Sequence, residues 1–388
     1  MPRRRLQQAL ALFGALLLAG CQTMVPKTAP PTAAPPPKAA APSTTSNLPT
    51  DTARNRVALL VPLTGPNAQV GQSIANATTM ALLDTKTEKL RVTTYDTGKD
   101  AAGAARQAIA EGNKLILGPL TGDEVKAVAP IARAAKVPVV GYSNDASVAG
   151  NGVFLLGYAP SQSIDRVIAF AKAKGAKNFA ALVPKGVYGE RAGSAFLGAV
   201  KTAGGTAVGM ETFDRSATSV SAAVKRLSER SSYDALLIAD IARIALQIAP
   251  QVRSKDGTAS PRILGTELWN TEAGLAASPS LRGAWFASVS DGLYRTLATK
   301  YRTSYAATPY RLASLGYDSV LLTVRIAADW KAGTDFPMAR LTDPDGFAGI
   351  DGAFRFGSDG LAQRALEVQE VGARNISVVD AAPRGFGK

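Results

Sequence analysis

Hydroxyl, amide and carboxylate side chains are the groups of this sequence that could do chemistry, because its 388 residues include no histidine and a single cysteine, Cys21. Without histidine there is no Ser-His-Asp triad, no imidazole proton shuttle and no histidine-ligated zinc. One cysteine allows neither an intrachain disulfide nor a thiolate cluster. The sequence also lacks a GxxxxGKS/T phosphate loop and a GxGxxG turn after a strand. Binding and carboxylate chemistry are the functions that remain.

The candidate binding side chains lie on loops that follow short apolar runs. Loops at the carboxyl ends of parallel strands are where such sheets bind ligands. The glycines and prolines of these loops are expected turn residues, so the polar side chains are the better candidates. The side chains predicted to line a cleft are Thr64, Thr121, Ser143, Asn144, Asp145 and Tyr188.

Asp240 and Glu267 are two further acidic candidates. As a catalytic pair of a glycosidase, their carboxylates would have to lie about 5 Å or about 6.5–9.5 Å apart. Isolated acidic residues on cleft loops are commoner than catalytic pairs, so both are assigned to the cleft lining instead. We therefore expect no enzymatic activity, no catalytic residue, no metal site and no cofactor.

The elements that position these loops alternate between strand-like and helix-like segments. Ile164, Val167, Ile168 and Ala171 follow the i, i+3, i+4, i+7 spacing of a buried helix face. Runs that are apolar throughout predict parallel strands covered on both faces. These runs are 57–62, 90–95, 114–118, 137–141, 153–157, 178–183, 234–239 and 284–289. The alternation predicts an α/β fold with doubly wound sheets in two lobes.

The N-terminus has the pattern of a signal segment. Arginines at positions 3–5 precede an apolar stretch, 9–19, that is shorter than the ~20 residues a membrane-spanning helix needs. The stretch ends in Leu18-Ala19-Gly20-Cys21, which resembles the lipobox of bacterial lipoproteins. That resemblance implies a signal peptide at 1–20, a lipid on Cys21 that anchors the chain to a membrane, and, from Gln22, a preference for the outer membrane. The alternative is an ordinary cleaved signal with an incidental cysteine.

Residues 21–50 are predicted to be a tether. Eight prolines lie between positions 26 and 49 without an acidic residue, a composition that favours extended polyproline II and cannot bury a core. The net charge is +14, but the body from residue 51 holds 39 basic and 30 acidic residues that are dispersed along the chain. A dispersed excess without a basic stripe indicates that nucleic acid is not a partner.

Three stretches together resemble a known family. They are VALLVPLTGPNAQVGQSIANATTMALLD (57–84), LILGPLTGDEVKAVAPIARAAKVPVVGYSND (115–145) and VFLLGYAPSQSIDRVIAFAKAKGAKNFAALVPKGVYGERAG (153–193). In order and spacing they resemble the type I periplasmic-binding fold of Leu/Ile/Val-binding proteins. Within that superfamily, residues 118–140 and FAGIDGAFRFGSDG (347–360) are most similar to the penicillin-binding protein activator lipoproteins. The resemblance implies one lobe at 51–158 plus 284–340 and a second at 159–283 plus 341–388.

The resemblance also implies a ligand site, but this sequence lacks one of the residues that form the site in the relatives. In amino-acid-binding relatives these loops hold the ligand's α-carboxylate and α-ammonium; a Tyr in the place of Tyr188 closes over the ligand, and an acidic residue near Glu267 meets the ammonium. The relatives' carboxylate-binding Ser falls on Gly122 here. Thr121 and Glu124 also form a T-x-x-E capping box, which satisfies the helix's own N–H groups. The site for a free amino acid is therefore predicted to be eroded.

Two functions follow from these patterns. The first is an envelope lipoprotein that binds and activates a peptidoglycan synthase, favoured by the lipobox, the long tether and the eroded site. The second is a substrate-binding protein that delivers an amino acid or a related small molecule to an ABC importer, the commonest role of this fold. A periplasm-facing location is implied by both.

Overall fold

The computed structural model describes residues 53–252, 260–270 and 272–386. The predicted signal peptide (1–20), the predicted tether (21–50) and the candidate lipid site at Cys21 lie outside these residues. No helix in the described part has both the length and the apolar composition that crossing a bilayer requires. Along the described chain, strands alternate with helices, which agrees with the sequence pattern.

The first lobe is built on a parallel sheet. Its N-terminal elements are β1 (Asn55–Val61), α1 (Ala68–Thr85), β2 (Leu90–Asp96), α2 (Ala101–Ala110), β3 (Leu115–Leu117), α3 (Gly122–Ala134), β4 (Val139–Gly141) and β5 (Val153–Leu155). The strands pair in the order β2-β1-β3-β4-β5, all in parallel. Helices cover both faces of this sheet, so residues 57–61 of β1 are fully buried.

The second lobe repeats this arrangement. Its elements are α4 (Pro160–Ala173), β6 (Asn178–Pro184), α5 (Val187–Thr202), β7 (Thr206–Phe213), α6 (Ala217–Arg230), β8 (Ala235–Ile238), α7 (Ala242–Val252), β9 (Arg262–Gly265) and β10 (Trp285–Ser288). The parallel strands pair in the order β7-β6-β8-β9-β10, the same order relative to the chain as in the first lobe. The predicted two-lobed α/β fold is thereby confirmed.

The C-terminal part of the chain contributes to both lobes. Its elements are α8 (Gly292–Tyr305), α9 (Ala313–Ala327), β11 (Phe347–Gly349), β12 (Gly352–Phe356), β13 (Ala362–Arg364), β14 (Glu367–Val371) and β15 (Ile376–Asp380). The strands β11, β12 and β13 form a small antiparallel sheet, and β14 and β15 extend the second sheet in antiparallel order beside β10. The sequence predicts purely parallel sheets. The strands β14 and β15 form an antiparallel hairpin instead, because the loop that joins them, 372–375, is too short for a parallel crossover.

Two of the expected lobe boundaries differ from the structure. The segment 284–288 was assigned to the first lobe, but β10 pairs with β9 and β14 in the second sheet. The segment 347–364 was assigned to the second lobe, but Phe347, Phe354 and Phe356 pack in the core of the first. An apolar run has the same appearance in either sheet, and only its pairing partner decides the lobe. The chain crosses between the lobes near 158–160, 289–291 and 365–366.

In each lobe, one helix packs so closely on the end of the preceding strand that only glycine fits. A Cβ on Gly71 of α1 would lie 1.8 Å from the carbonyl oxygen of Pro62. A Cβ on Gly189 of α5 would lie 1.6 Å from the carbonyl oxygen of Pro184. The two lobes therefore use the same tight turn after β1 and after β6.

We expect Gly189→Ala to lower the free energy of unfolding by about 1–3 kcal/mol, because the added methyl group forces α5 away from the end of β6. Gly198 lies in the same helix, and a Cβ there would meet no described atom within 4 Å. Gly198→Ala is the matched control and should stabilise the protein by up to about 1 kcal/mol through helix propensity. Urea denaturation measures both variants, and equal effects would contradict this account of Gly189.

Candidate functional site

A cavity of about 430 Å³ lies between the two lobes, beside the ends of strands from both sheets. Each crossing between the lobes contributes to its wall, through Tyr158, Val289 and Leu366. The wall combines aliphatic and aromatic side chains with a few polar groups, a composition typical of sites for small organic molecules. The polar side chains used below are Asn144, Gln162, Ser163, Glu267, Arg311 and Arg364.

A buried ion-pair cluster stands behind one wall of the cavity. The Nη1 atom of Arg311 lies 2.7 Å from Oδ1 of Asp351. The hydroxyls of Ser314 and Tyr158 both donate to Oδ2 of Asp351, the first at 2.8 Å. The Nη1 atom of Arg364 lies 3.9 Å from the same oxygen. The cluster fixes the two guanidinium groups against the link between β5 and α4.

The charges of this cluster are nearly balanced. Burial alone would raise the pKa of Asp351, but Arg311 and Arg364 outweigh it and hold that pKa below its ordinary value. Burial and the charge of Asp351 raise the pKa of the neighbouring Asp318. A second carboxylate, that of Asp291, has its Oδ1 atom 3.6 Å from Nη2 of Arg311. Two cationic groups are therefore matched mainly by two anionic ones.

Several donor atoms of the two guanidinium groups have no hydrogen-bond partner among the described residues. They are Nε and Nη2 of Arg311 and Nε and Nη1 of Arg364. The remaining Nη2 of Arg364 donates to the carbonyl of Leu156 at 2.6 Å, and the guanidinium lies over the ring of Tyr158, 4.9 Å from its centroid. These four atoms are themselves buried, and two of them contact carboxylates only at ion-pair distance: Nη2 of Arg311 with Asp291 at 3.6 Å and Nη1 of Arg364 with Asp351 at 3.9 Å.

Glu267 lies on the opposite, second-lobe wall, directly after β9. Its carboxylate accepts hydrogen bonds from the hydroxyls of Ser163 and Tyr188, the second at 3.1 Å. Burial raises the pKa of the Glu267 carboxyl, although these donors act in the opposite direction. Burial also raises the pKa of the Tyr188 hydroxyl. This wall therefore offers a buried carboxyl group whose proton affinity is increased.

Some of the residues expected to line a cleft lie at the cavity. Asn144 and Glu267 line it, and Tyr188 reaches it through its hydrogen bond to Glu267. These residues follow β4 and β9 or lie at the start of α5, as the strand-end argument requires.

Other expected residues have local bonding partners instead of lining the cavity. The hydroxyl of Thr64 donates to Oδ2 of Asp96 at 2.8 Å. The hydroxyl of Ser143 accepts from the backbone N–H two residues further on, at 3.0 Å. Asp240 is fully buried and pairs with Nε of Arg215 at 2.9 Å. Their polar groups hold loops in place.

The start of α3 is occupied by the protein's own carboxylates. The Thr121 hydroxyl accepts from the N–H of Glu124 at 3.3 Å, and the Glu124 carboxylate accepts from the N–H of Thr121 at 2.8 Å, which confirms the predicted capping box. A Cβ on Gly122 would lie 2.8 Å from a carboxylate oxygen of Asp145. Asp145 also contacts Nη2 of Arg191 at 2.6 Å and so joins the first lobe to α5. A serine at position 122 would clash with Asp145.

Sequence reasoning missed the two arginines and the tyrosine of the cavity wall. Tyr158 could have been found, because it directly follows the predicted strand at 153–157. Arg311 and Arg364 carry no local signal, since their shared partner Asp351 lies outside the loop or turn of either arginine and meets both only in the folded chain. No group of three or more potential metal-ligating side chains occurs in the described part of the chain.

Sequence comparison gives one family and one curated relative. The model of the periplasmic binding protein family matches residues 55–375. An uncharacterized protein of Rickettsia prowazekii (strain Madrid E) is 31% identical over 137 residues, which are 34% of this chain and 36% of that protein. The match thus spans about a third of the length of this relative.

Solved structures share the fold over most of the chain. A putative branched-chain amino acid ABC transporter from Rhodospirillum rubrum has a TM-score of 0.74 at 18% identity, covering 84% of this chain and all of that one. The substrate-binding protein LivJ of Streptococcus pneumoniae, solved with isoleucine, has a TM-score of 0.61 at 18% identity, covering 85% and 100%. A solute-binding protein from R. palustris, solved with benzoate, has a TM-score of 0.61 at 16% identity, covering 86% and 98%. These identities establish similarity of fold.

Proposed function

This chain belongs to the periplasmic binding protein family, and from that premise we propose that it binds a small organic solute in the cavity between its lobes. The solute is an amino acid or a related molecule, and the protein delivers it to an ABC-type importer. The observation that carries the proposal is the cavity of about 430 Å³, which is the size of a small-molecule site.

The position of the cavity supports this proposal. All three crossings between the lobes touch it, so a solute there contacts both lobes at once. Aliphatic side chains from each lobe, such as Leu120 and Leu268, offer apolar contact, and Arg311, Arg364 and Glu267 offer charged groups. A solute with an apolar body and a polar end matches this lining. Structural neighbours solved with isoleucine and with benzoate carry ligands of that kind.

Titration calorimetry of the purified chain against twenty amino acids and a set of aromatic and branched aliphatic carboxylates tests the proposal. At least one compound should bind with a Kd of about 10 µM or tighter, which corresponds to about −7 kcal/mol. Free leucine, isoleucine and valine should bind weakly, because Gly122 lacks the hydroxyl of the amino-acid-binding relatives and Asp145 packs against it. The absence of any saturable heat across the whole panel would contradict solute binding.

Activation of a peptidoglycan synthase is the second candidate function. It is favoured by the lipobox at Leu18–Cys21, the proline-rich segment at 21–50 and the capped, carboxylate-occupied start of α3. Under this alternative the purified chain binds the periplasmic domain of a synthase and raises its activity, and it binds no solute from the panel. The two measurements together separate the candidates.

Lipid attachment at Cys21 is proposed for either function, with an outer-membrane preference from Gln22. Cys21→Ser should block acylation, so that an unprocessed form accumulates. If the Cys21→Ser variant were processed normally and fractionated as the wild type does, the proposal of a lipid anchor would be wrong.

A further inference from the structure

The strand β15 (Ile376–Asp380) is an open edge of the second sheet. In the described part of the chain it pairs with β14 alone, and the sheet ends there. Ser377, Val378 and Val379 are exposed, the two valines to 51% and 42%. Because neighbouring residues of a strand point to opposite faces, this run leaves both faces of the strand open to solvent. Such an edge presents unpaired backbone groups and can pair with a further strand.

The backbone groups of Ile376 and Val378 point away from β14. The N–H of Val371 donates to the carbonyl of Ala284 at 2.9 Å and therefore points to β10. Val371 lies directly opposite Ile376, so these two residues exchange no hydrogen bond. Bonded and non-bonded pairs alternate along an antiparallel ladder, so Ser377 bonds to β14, while Ile376 and Val378 direct their N–H and C=O groups to the open edge.

This edge lacks the features that protect the opposite edge of the same sheet. The strand β7 contains Gly209 and the ion-paired Glu211, and its register with β6 shifts near its start. Charges and bulges of this kind are how native proteins block pairing between edges. Residues 376–379 of β15 are Ile-Ser-Val-Val, with no charge, glycine or proline. The register shift of β15 lies beyond Val378, so the residues before it pair regularly with β14.

The described residues that follow β15 do not cover this edge. They run towards the first lobe, where the ring centroid of Phe386 lies 4.8 Å from Cζ of Arg355 in β12. Arg166 of α4 contacts only the end of the strand, through Asp380 at 2.7 Å. The apolar middle of β15 is therefore free to meet a strand from another molecule.

We propose that two copies of this chain pair through β15, antiparallel and about a two-fold axis at Ser377. This register sets Ile376 of each copy opposite Val378 of the other, so that the outward-pointing groups of both residues are bonded. A register shifted by two residues would set Val378 opposite position 374, which lies outside the strand. The interface uses the same patch on both copies and joins their second-lobe sheets into one.

The charges at the two ends of β15 favour a second copy as the partner. Arg374 is exposed just before the strand, and the side chain of Asp380 at its end is 44% exposed. Antiparallel pairing brings Arg374 of each copy towards Asp380 of the other. Parallel pairing would bring like charges together, which is destabilising. The strand is therefore complementary to itself in one orientation.

Sedimentation velocity of the purified chain, with a reductant present, tests the pairing. From about 5 to about 200 µM, the average mass of the wild type should rise from that of a monomer towards that of a dimer. Val378→Lys should weaken self-association at least tenfold, because lysine on an edge strand blocks pairing. Leu197→Lys is the matched control, since Leu197 is 48% exposed on α5, beside β6 and β7, and it should associate as the wild type does.

Two results of this experiment would overturn the proposal. One is a wild type that stays monomeric over the whole range, which would leave the edge to a different partner. The other is a dimer that Val378→Lys leaves intact. The residues of β15 do not line the cavity between the lobes, so Val378→Lys should bind any solute as the wild type does.

A cysteine at the two-fold axis tests the register and does not depend on the lysine variant. In the proposed pairing, the two copies of Ser377 form a non-hydrogen-bonded pair with Cα atoms about 4.5 Å apart, a separation that disulfides span. Cys21→Ser/Ser377→Cys should therefore form a covalent dimer on oxidation, seen by non-reducing electrophoresis. Cys21→Ser/Thr212→Cys is the matched control, with its cysteine exposed on β7. Equal fractions of covalent dimer in the two variants would overturn the pairing through β15.

Discussion

Replacing Asp351 by alanine is expected to lower the free energy of unfolding by about 3–5 kcal/mol. Asp351 is fully buried and lies 2.7 Å from Arg311 and 3.9 Å from Arg364. Its removal leaves two guanidinium groups, both largely buried, without their main counter-charge. It also removes the acceptor for the hydroxyls of Tyr158 and Ser314. Urea denaturation followed by circular dichroism measures the change.

The control for this prediction is Asp345→Ala. Asp345 is exposed on the turn before β11, and loss of its carboxylate should change the free energy of unfolding by no more than about 0.5 kcal/mol. If Asp351→Ala lowered the free energy of unfolding by less than about 1 kcal/mol, the two buried arginines would not need this carboxylate as their counter-charge. In that case the arrangement of the cavity wall described here would be incorrect.

Filling the cavity should abolish solute binding without unfolding the protein. Ala159 is half-buried at the start of α4 and lines the cavity, so an indole at this position occupies the space beside the two arginines. We expect Ala159→Trp to weaken the affinity for any solute of the wild type at least a hundredfold, because the solute and the ring compete for one volume. Titration calorimetry measures the loss.

The matched control introduces the same side chain outside the cavity. Ala307 is exposed in the loop after α8, and Ala307→Trp should bind solute as the wild type does. Both variants should keep the unfolding temperature of the wild type within a few degrees, as expected for changes at partly or fully exposed positions. A solute bound equally by Ala159→Trp and the wild type would place the binding site elsewhere.

Much of the fold could be predicted because its strands are buried on both faces and appear as apolar runs. All eight predicted runs coincide with strands of the structure. Two strands of the parallel sheets were missed. The strand β7 is an edge strand whose residues, such as Thr206, Glu211 and Met210, are largely polar or exposed. The strand β9 has only four residues and begins with the exposed Arg262. The lobe boundaries were incorrect because a run such as 284–289 does not indicate which sheet it joins. Strand pairing depends on distant residues that one sequence does not reveal.

The candidate site was predicted only where local rules apply. The capping box at Thr121 and Glu124 spans three residues, so its pattern is visible in the sequence. The strand-end rule located Asn144 and Glu267 at the cavity, but it also selected Thr64 and Ser143, whose hydroxyls bond within their own loops. Polarity at a strand end cannot distinguish a free side chain from one that stabilises a turn.

The arginines of the cavity could not be predicted, for a different reason. Burial of Arg364 depends on Asp351 and on the ring of Tyr158, and these groups come together only in the folded chain. Charged residues are almost never fully buried unless they are paired, so sequence alone assigns each of them to the surface. Which guanidinium atoms of Arg311 and Arg364 lack a hydrogen-bond partner depends on the folded arrangement of the site, which the sequence does not show.

A crystal structure of the chain grown with the tightest-binding solute of the panel tests the central claim most directly. The account predicts density for the solute between the lobes, in contact with Tyr158 on one side and near Glu267 on the other. A solute bound outside the space between the lobes, or a cavity without solute in crystals grown at saturating concentration, would contradict the account.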